Sequence, residues 1–132
     1  QWGPEGITEF AADLEQGFGL LDRPAELSEI LTTLRTLTFD IGSSHKKDAH
    51  AFVAGLAAAT SNRELEQASY YLRVTALHYE EGLSQVDLII NNQSVTQAEL
   101  KNRLTRIAEV MRRAAESERK AGKYLSKGAK TL

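Results

Sequence analysis

The chain has 132 residues, 42% of them hydrophobic and 26% charged, with a formal net charge of −2 and no cysteine. That length and composition suit one globular domain able to bury roughly two thirds of its unfolded surface, and they leave no place for a disulfide scaffold or a cysteine-ligated metal. Apolar runs reach only a few residues, so neither a transmembrane helix nor a signal peptide is expected in this stretch. The lack of cysteine suits a reducing cytoplasm and is also compatible with a bacterial periplasm, while Gln1 in place of an initiator Met points to a processed or excised segment.

The first helix is expected over about 7–21, where Ile7, Phe10, Ala11, Leu14, Phe18 and Leu21 recur at steps of three and four. Gly17 and Gly19 weaken its last turns by about 1 kcal/mol each relative to Ala. Pro24 opens a second helix, about 25–41, because a proline at the first helical position loses no hydrogen bond. Leu27, Ile30, Leu31, Leu34, Leu37 and Ile41 carry its period, and Gly42-Ser43-Ser44 reads as its end. A shorter helix follows at about 46–59, with Ala49, Phe52, Val53 and Leu56. Trp2 and Phe39 stand outside these periods and read as caps on the ends of the core.

The last half of the chain carries the clearest signal. Ser61 to Glu64 matches a capping box. A seam of Leu65, Ala68, Leu72, Ala76, Tyr79, Leu83, Val86 and Ile90 then runs at heptad-like spacing over about 62–90. Asn91-Asn92-Gln93-Ser94 forms a turn, and Thr96 to Glu99 is a second capping box. Leu100, Leu104, Ile107, Met111, Ala114, Ala121 and Leu125 line the last helix, about 97–126, with Glu118 as a charged break. At 1.5 Å per residue each of these helices spans roughly 40 Å, and the short turn makes them antiparallel neighbours. No stretch alternates as a half-buried strand does. The expected fold is all-α: a single domain, residues 1–132, forming an antiparallel bundle of four to five helices built on a long C-terminal αα-hairpin.

Charge is unevenly divided. Residues 1–96 hold six Lys/Arg against fourteen Asp/Glu, net −8, and residues 97–132 hold ten against four, net +6. Arg106, Arg113, Lys120 and Lys127 recur every seven residues and form a row beside the last seam; Arg112, Arg119, Lys123 and Lys130 lie nearer its back. This basic face fits a solvated surface that offsets the acidic helices, a contact for an acidic protein partner, or a contact for nucleic acid or an anionic membrane. The sequence pI of about 5.9 argues against nucleic acid. On the preceding helix Tyr70 and Tyr71 point to adjacent sides, with Arg73 close by. Tyr and Arg are enriched at binding hot spots, so this region is the second candidate contact surface, while Tyr79 falls on the seam.

Nothing in the sequence composes a catalytic, cofactor or metal site. His45 and His50 lie about 140° apart around a helix, and His78 has Glu81 three residues on but no second Glu/His set, so the pairs of di-iron bundles are missing. Gly17-Phe18-Gly19 imitates the start of a dinucleotide loop, yet Asp22 stands at its third glycine position and no strand precedes it.

The segment Tyr71-Leu72-Arg73-Val74 through Glu81-Gly82-Leu83, with the basic helix after it, is similar to the helical hairpins of microtubule-interacting-and-trafficking domains. The similarity covers about a third of the chain, the three preceding helices depart from that pattern, and no functional residue carries over. It implies a trafficking-type helical adaptor.

The function expected from these residues is a non-enzymatic interaction or assembly module, an adaptor or scaffold without cofactor. Its partner would be a protein with an acidic or helical surface. The heptad seam also permits a homodimer of two hairpins. The alternatives are a ligand-sensing four-helix input domain of a bacterial receptor, and contact with nucleic acid or an anionic membrane through the last helix.

Overall fold

The computed structural model describes residues 4–92 and 95–132; Trp2, Gln93 and Ser94, which the sequence reading assigned to a cap and a turn, lie outside them. The protein is an all-α antiparallel bundle. Its elements are α1 (Pro4–Glu15), a 3₁₀ turn (Gly17–Gly19), α2 (Pro24–Leu34), a π-helical segment (Arg35–Asp40), α3 (Ile41–Thr60), α4 (Arg63–Ile90) and α5 (Gln97–Ala129).

The first helix stops at Glu15, six residues before the expected end at Leu21. Gly17, Phe18 and Gly19 take positive φ values of 61°, 53° and 72°. Successive left-handed residues cannot continue a right-handed helix. Gly17 is also sterically confined, since a Cβ there would stand 2.8 Å from Leu21 Cδ2. Phe18 accepts its strained backbone while its ring packs on Phe10, centroids 5.2 Å apart.

The second and third expected helices are one continuous rod from Pro24 to Thr60, and Gly42-Ser43-Ser44 does not end a helix. The π segment instead falls just before them. A π turn inserts an extra residue per turn and rotates everything after it relative to the α period. That rotation explains three departures from expectation. Leu37 and Ile41 face outward, Leu37 with 61% of its surface exposed, whereas Thr38 and Phe39 turn inward. Phe39 does not cap the core: it is fully buried at mid-bundle, edge-on to Tyr79 at 6.1 Å. Gly82 supplies its seat, since a Cβ at position 82 would lie 2.7 Å from Phe39 Cδ1 and Cζ. Phe52, expected inside, is 72% exposed on α3.

The hairpin follows its seams closely. Leu65, Ala68, Leu72, Ala76, Tyr79 and Val86 are buried on α4, with Ile89 taking the place expected of Ile90. Leu100, Leu104, Ile107, Met111, Ala114 and Ala121 are buried on α5. Asn62 caps α4 by accepting from Leu65 N–H at 3.0 Å. Ser61, expected as that cap, instead ends α3 in the left-handed conformation, φ 54°. Thr96 caps α5 as expected, accepting from Glu99 N–H at 3.1 Å.

α1 lies along the first half of α5, and the Pro24–Thr60 rod packs on α4. One core, including Ile7, Leu14, Leu31, Phe39, Val86, Leu104 and Met111, therefore joins four helices. A second, including Val53, Leu65, Leu72 and Ala121, joins only α3, α4 and α5. Between them a polar layer crosses the bundle: Thr75 and Ser117 hydroxyls meet at 2.7 Å, and Lys46 pairs with Glu118, the charged break in the seam, at 2.5 Å. The bundle is thus four-helical at its turn end and three-helical at the end that holds the basic tail.

Candidate functional site

At the three-helix end, α4 and α5 present an aromatic cluster. Antiparallel packing with Thr75 opposite Ser117 brings the start of α4 against the last turns of α5. Tyr71 and Tyr124 stack there, centroids 5.8 Å apart and rings within 7° of parallel. Tyr70 meets Tyr71 edge-on at 5.1 Å. Three ammonium groups sit over these rings: Lys120 is 5.5 Å from the Tyr71 centroid, and Lys123 and Lys127 are 6.0 and 5.6 Å from that of Tyr124. Each such contact contributes about 0.5–1 kcal/mol at an exposed site.

Apolar surface continues from the cluster along the outer face of α4. Tyr70 and Leu77 are 57% and 53% exposed, with half-buried Val74 between them. These positions fall three and four residues apart and share one stripe. Arg73 is exposed beside the stripe. Among the described residues Arg73, Lys120, Lys123, Lys127 and Lys130 make no ion pair with a carboxylate. The acids of this part of α4, Glu64 and Glu66, occupy its first turn, where the helix dipole favours them. The result is an exposed patch of rings and aliphatic carbon, rimmed by cations without a carboxylate partner among the described residues.

The structure divides the nine candidate contact residues. Tyr70, Tyr71, Lys120 and Lys123 converge on the cluster, and Arg73 borders it. Arg112, Arg113 and Arg119 do not: they pair with Glu15, Glu81 and Glu116. The hydrogen-bonded pair with Arg112 holds the Glu15 carboxyl below its ordinary range and raises the guanidinium. Arg106 is exposed on the other half of α5, away from the rings. Sequence reasoning missed Tyr124, and placed Lys127 in the row without assigning it to a site. Tyr124 shares the heptad position of Ser117, but only the register between α4 and α5 reveals that it meets Tyr71.

The histidines lie elsewhere. His50 Nδ1 is 2.8 Å from Ser69 O. His78 is half-buried, and burial, aided by nearby Arg113, lowers its pKa. Burial likewise raises the Tyr79 phenol far above its ordinary value. Among the described residues no group of three or more His, Asp or Glu is placed to hold a metal, and no helix is long and apolar enough to cross a membrane.

Two concave features complete the surface. A cavity of about 250 Å³ lies between the two turns at the four-helix end, walled by Leu21, Leu27, Leu31, Ile89, Val95 and Leu100, with Asp22 and Asn92 beside it. A shallow groove between α1 and α2 is floored by Phe10, Ile30, Leu34 and Leu37, with Glu29 on its rim. Compared with known proteins, the chain matches no family model, no curated protein sequence and no solved structure.

Proposed function

We propose that the protein is a non-enzymatic helical-bundle interaction module that docks an acidic protein segment on the tyrosine–lysine face of α4 and α5. The observation that carries this reading is the cluster itself: Tyr70, Tyr71 and Tyr124 under Lys120, Lys123 and Lys127, with no carboxylate among the described residues paired to the lysines. Stacked tyrosines are rigid and already ordered, so a partner meets amphipathic area at low entropic cost. The lysine rim favours acidic partners and speeds encounter with them. Aliphatic neighbours such as Leu77 favour a segment with apolar side chains as well as carboxylates, which a bare polyanion lacks.

The test is fluorescence anisotropy with a labelled Glu/Leu amphipathic helical peptide. Binding is expected to weaken with salt and to drop about tenfold or more in the triple variant K120E/K123E/K127E. Equal affinity in that variant contradicts the reading, and tighter binding of duplex DNA or phosphatidylserine vesicles than of the peptide replaces it with the polyanion alternative.

The end cavity favours a second reading, the ligand-sensing domain. Its apolar wall and flanking Asp22 suit a small apolar molecule. A ligand held there at 100 times its Kd would add about 2.7 kcal/mol of stability, visible in a thermal-shift series over apolar amines and alcohols.

A further inference from the structure

Resting on the reading above, we infer that one occupant of the tyrosine–lysine face is a second copy of this chain, bound through its acidic α1–α2 groove, so that copies associate head to tail.

The two surfaces complement each other in kind and in charge. The groove offers an apolar floor from Phe10, Ile30 and Leu37, the last largely exposed. Glu29 stands on its rim, and Glu9 and Asp13, one helical turn apart on the same side of Phe10, are exposed on α1. None of these three carboxylates has a cationic partner among the described residues. The face offers an apolar stripe, Tyr70, Val74 and Leu77, and the unanswered cations Arg73, Lys120, Lys123 and Lys127. Among the described residues, unpaired acid therefore stands beside one apolar groove and unpaired base around one apolar face. Burying either alone would strand charge away from water, which is costly; burying them together pairs it.

Their placement sets the geometry. α1 packs on α5 and α2 packs toward α4, so the α1–α2 groove and the α4–α5 face lie on opposite sides of the bundle. The groove belongs to the four-helix half and the tyrosines to the three-helix half. One copy cannot satisfy both of its own surfaces, and two copies meeting this way leave one of each open. Such a heterologous contact propagates unless its rotation closes a ring.

Sedimentation velocity on the full chain tests this. The weight-average sedimentation coefficient is expected to rise with protein concentration at low salt and fall as salt screens the contact. Two charge-neutralised variants, K120Q/K123Q/K127Q and E9Q/D13N/E29Q, should each be monomeric, because each has lost the charge of one surface. Mixed in equal amounts they should form a 1:1 dimer and nothing larger, because one intact face meets one intact groove. That rescue also shows that both variants are folded. A wild-type chain monomeric at all concentrations, or a mixture that fails to pair, overturns the inference. If the acidic peptide still binds such a monomer, only self-association is lost; if the lysine variant binds the peptide as well as wild type does, the proposed function falls with it.

Discussion

Replacing Gly82 by Ala should weaken the fold, although a glycine inside a long helix ordinarily costs stability. In an exposed helix interior, Gly→Ala gains about 1 kcal/mol. Gly122 on α5 provides that reference, since a Cβ there meets nothing within 4 Å. At Gly82 the same methyl stands 2.7 Å from two Phe39 ring atoms, and Phe39 is fully buried with nowhere to retreat. Overpacking of this kind costs about 1–3 kcal/mol. The backbone gain is common to both sites, so their difference isolates the steric term: G82A should lie about 1–3 kcal/mol below G122A, which should itself exceed wild type. Urea unfolding at constant m-value measures each. Introducing F39L should shrink the G82A penalty, because the smaller side chain vacates the clash. Equal stabilisation by G82A and G122A would refute the seating of Phe39 against Gly82.

Three further outcomes follow from the same packing. Asn62→Ala should cost about 1 kcal/mol through the lost cap, and more because Asn62 Nδ2 also donates to Gly128 O at 3.1 Å, whereas Ser61→Gly should be neutral or stabilising at its positive φ; thermal unfolding of the pair checks this. His78 prefers its neutral form in the folded state, so the unfolded chain takes up a proton first as pH falls. Its contribution is complete above the ordinary histidine range and is lost as pH drops through that range to the lowered folded pKa, and urea midpoints of wild type and His78→Gln should therefore diverge there and run parallel above it. Thr75→Val and Ser117→Ala should each cost about 1 kcal/mol for the buried hydroxyl contact, with the double variant costing less than the two added, as a denaturation cycle would report.

Much of the bundle was legible in the sequence because amphipathic period is a local signal. The α4 and α5 seams, the Thr96 cap and the antiparallel hairpin all follow from spacing alone. What escaped was set by contacts distant along the chain. Nothing local to Arg35–Asp40 announces a π segment; the contact it makes possible, Phe39 seated against Gly82, lies more than forty residues on. Gly42-Ser43-Ser44 resembled a stop because small polar residues favour helix ends, yet Ser43 is buried and hydrogen-bonds Asp40 O inside the rod. The capping box was displaced by one residue because both Ser61 and Asn62 can cap, and only Asn62 also reaches the end of α5. The site was half legible: Tyr70, Tyr71 and the lysine row stood out, but the register that lays Tyr124 on Tyr71, and the carboxylates that neutralise Arg112, Arg113 and Arg119, belong to the folded state.

The role of the tyrosine–lysine face is tested most directly by an NMR titration of the intact chain with an acidic amphipathic peptide. The expected result is chemical-shift change concentrated at Tyr70, Tyr71, Val74, Leu77, Lys120, Lys123, Tyr124 and Lys127. Shifts confined to the α1–α2 groove or the end cavity, or no shifts at all, would contradict it.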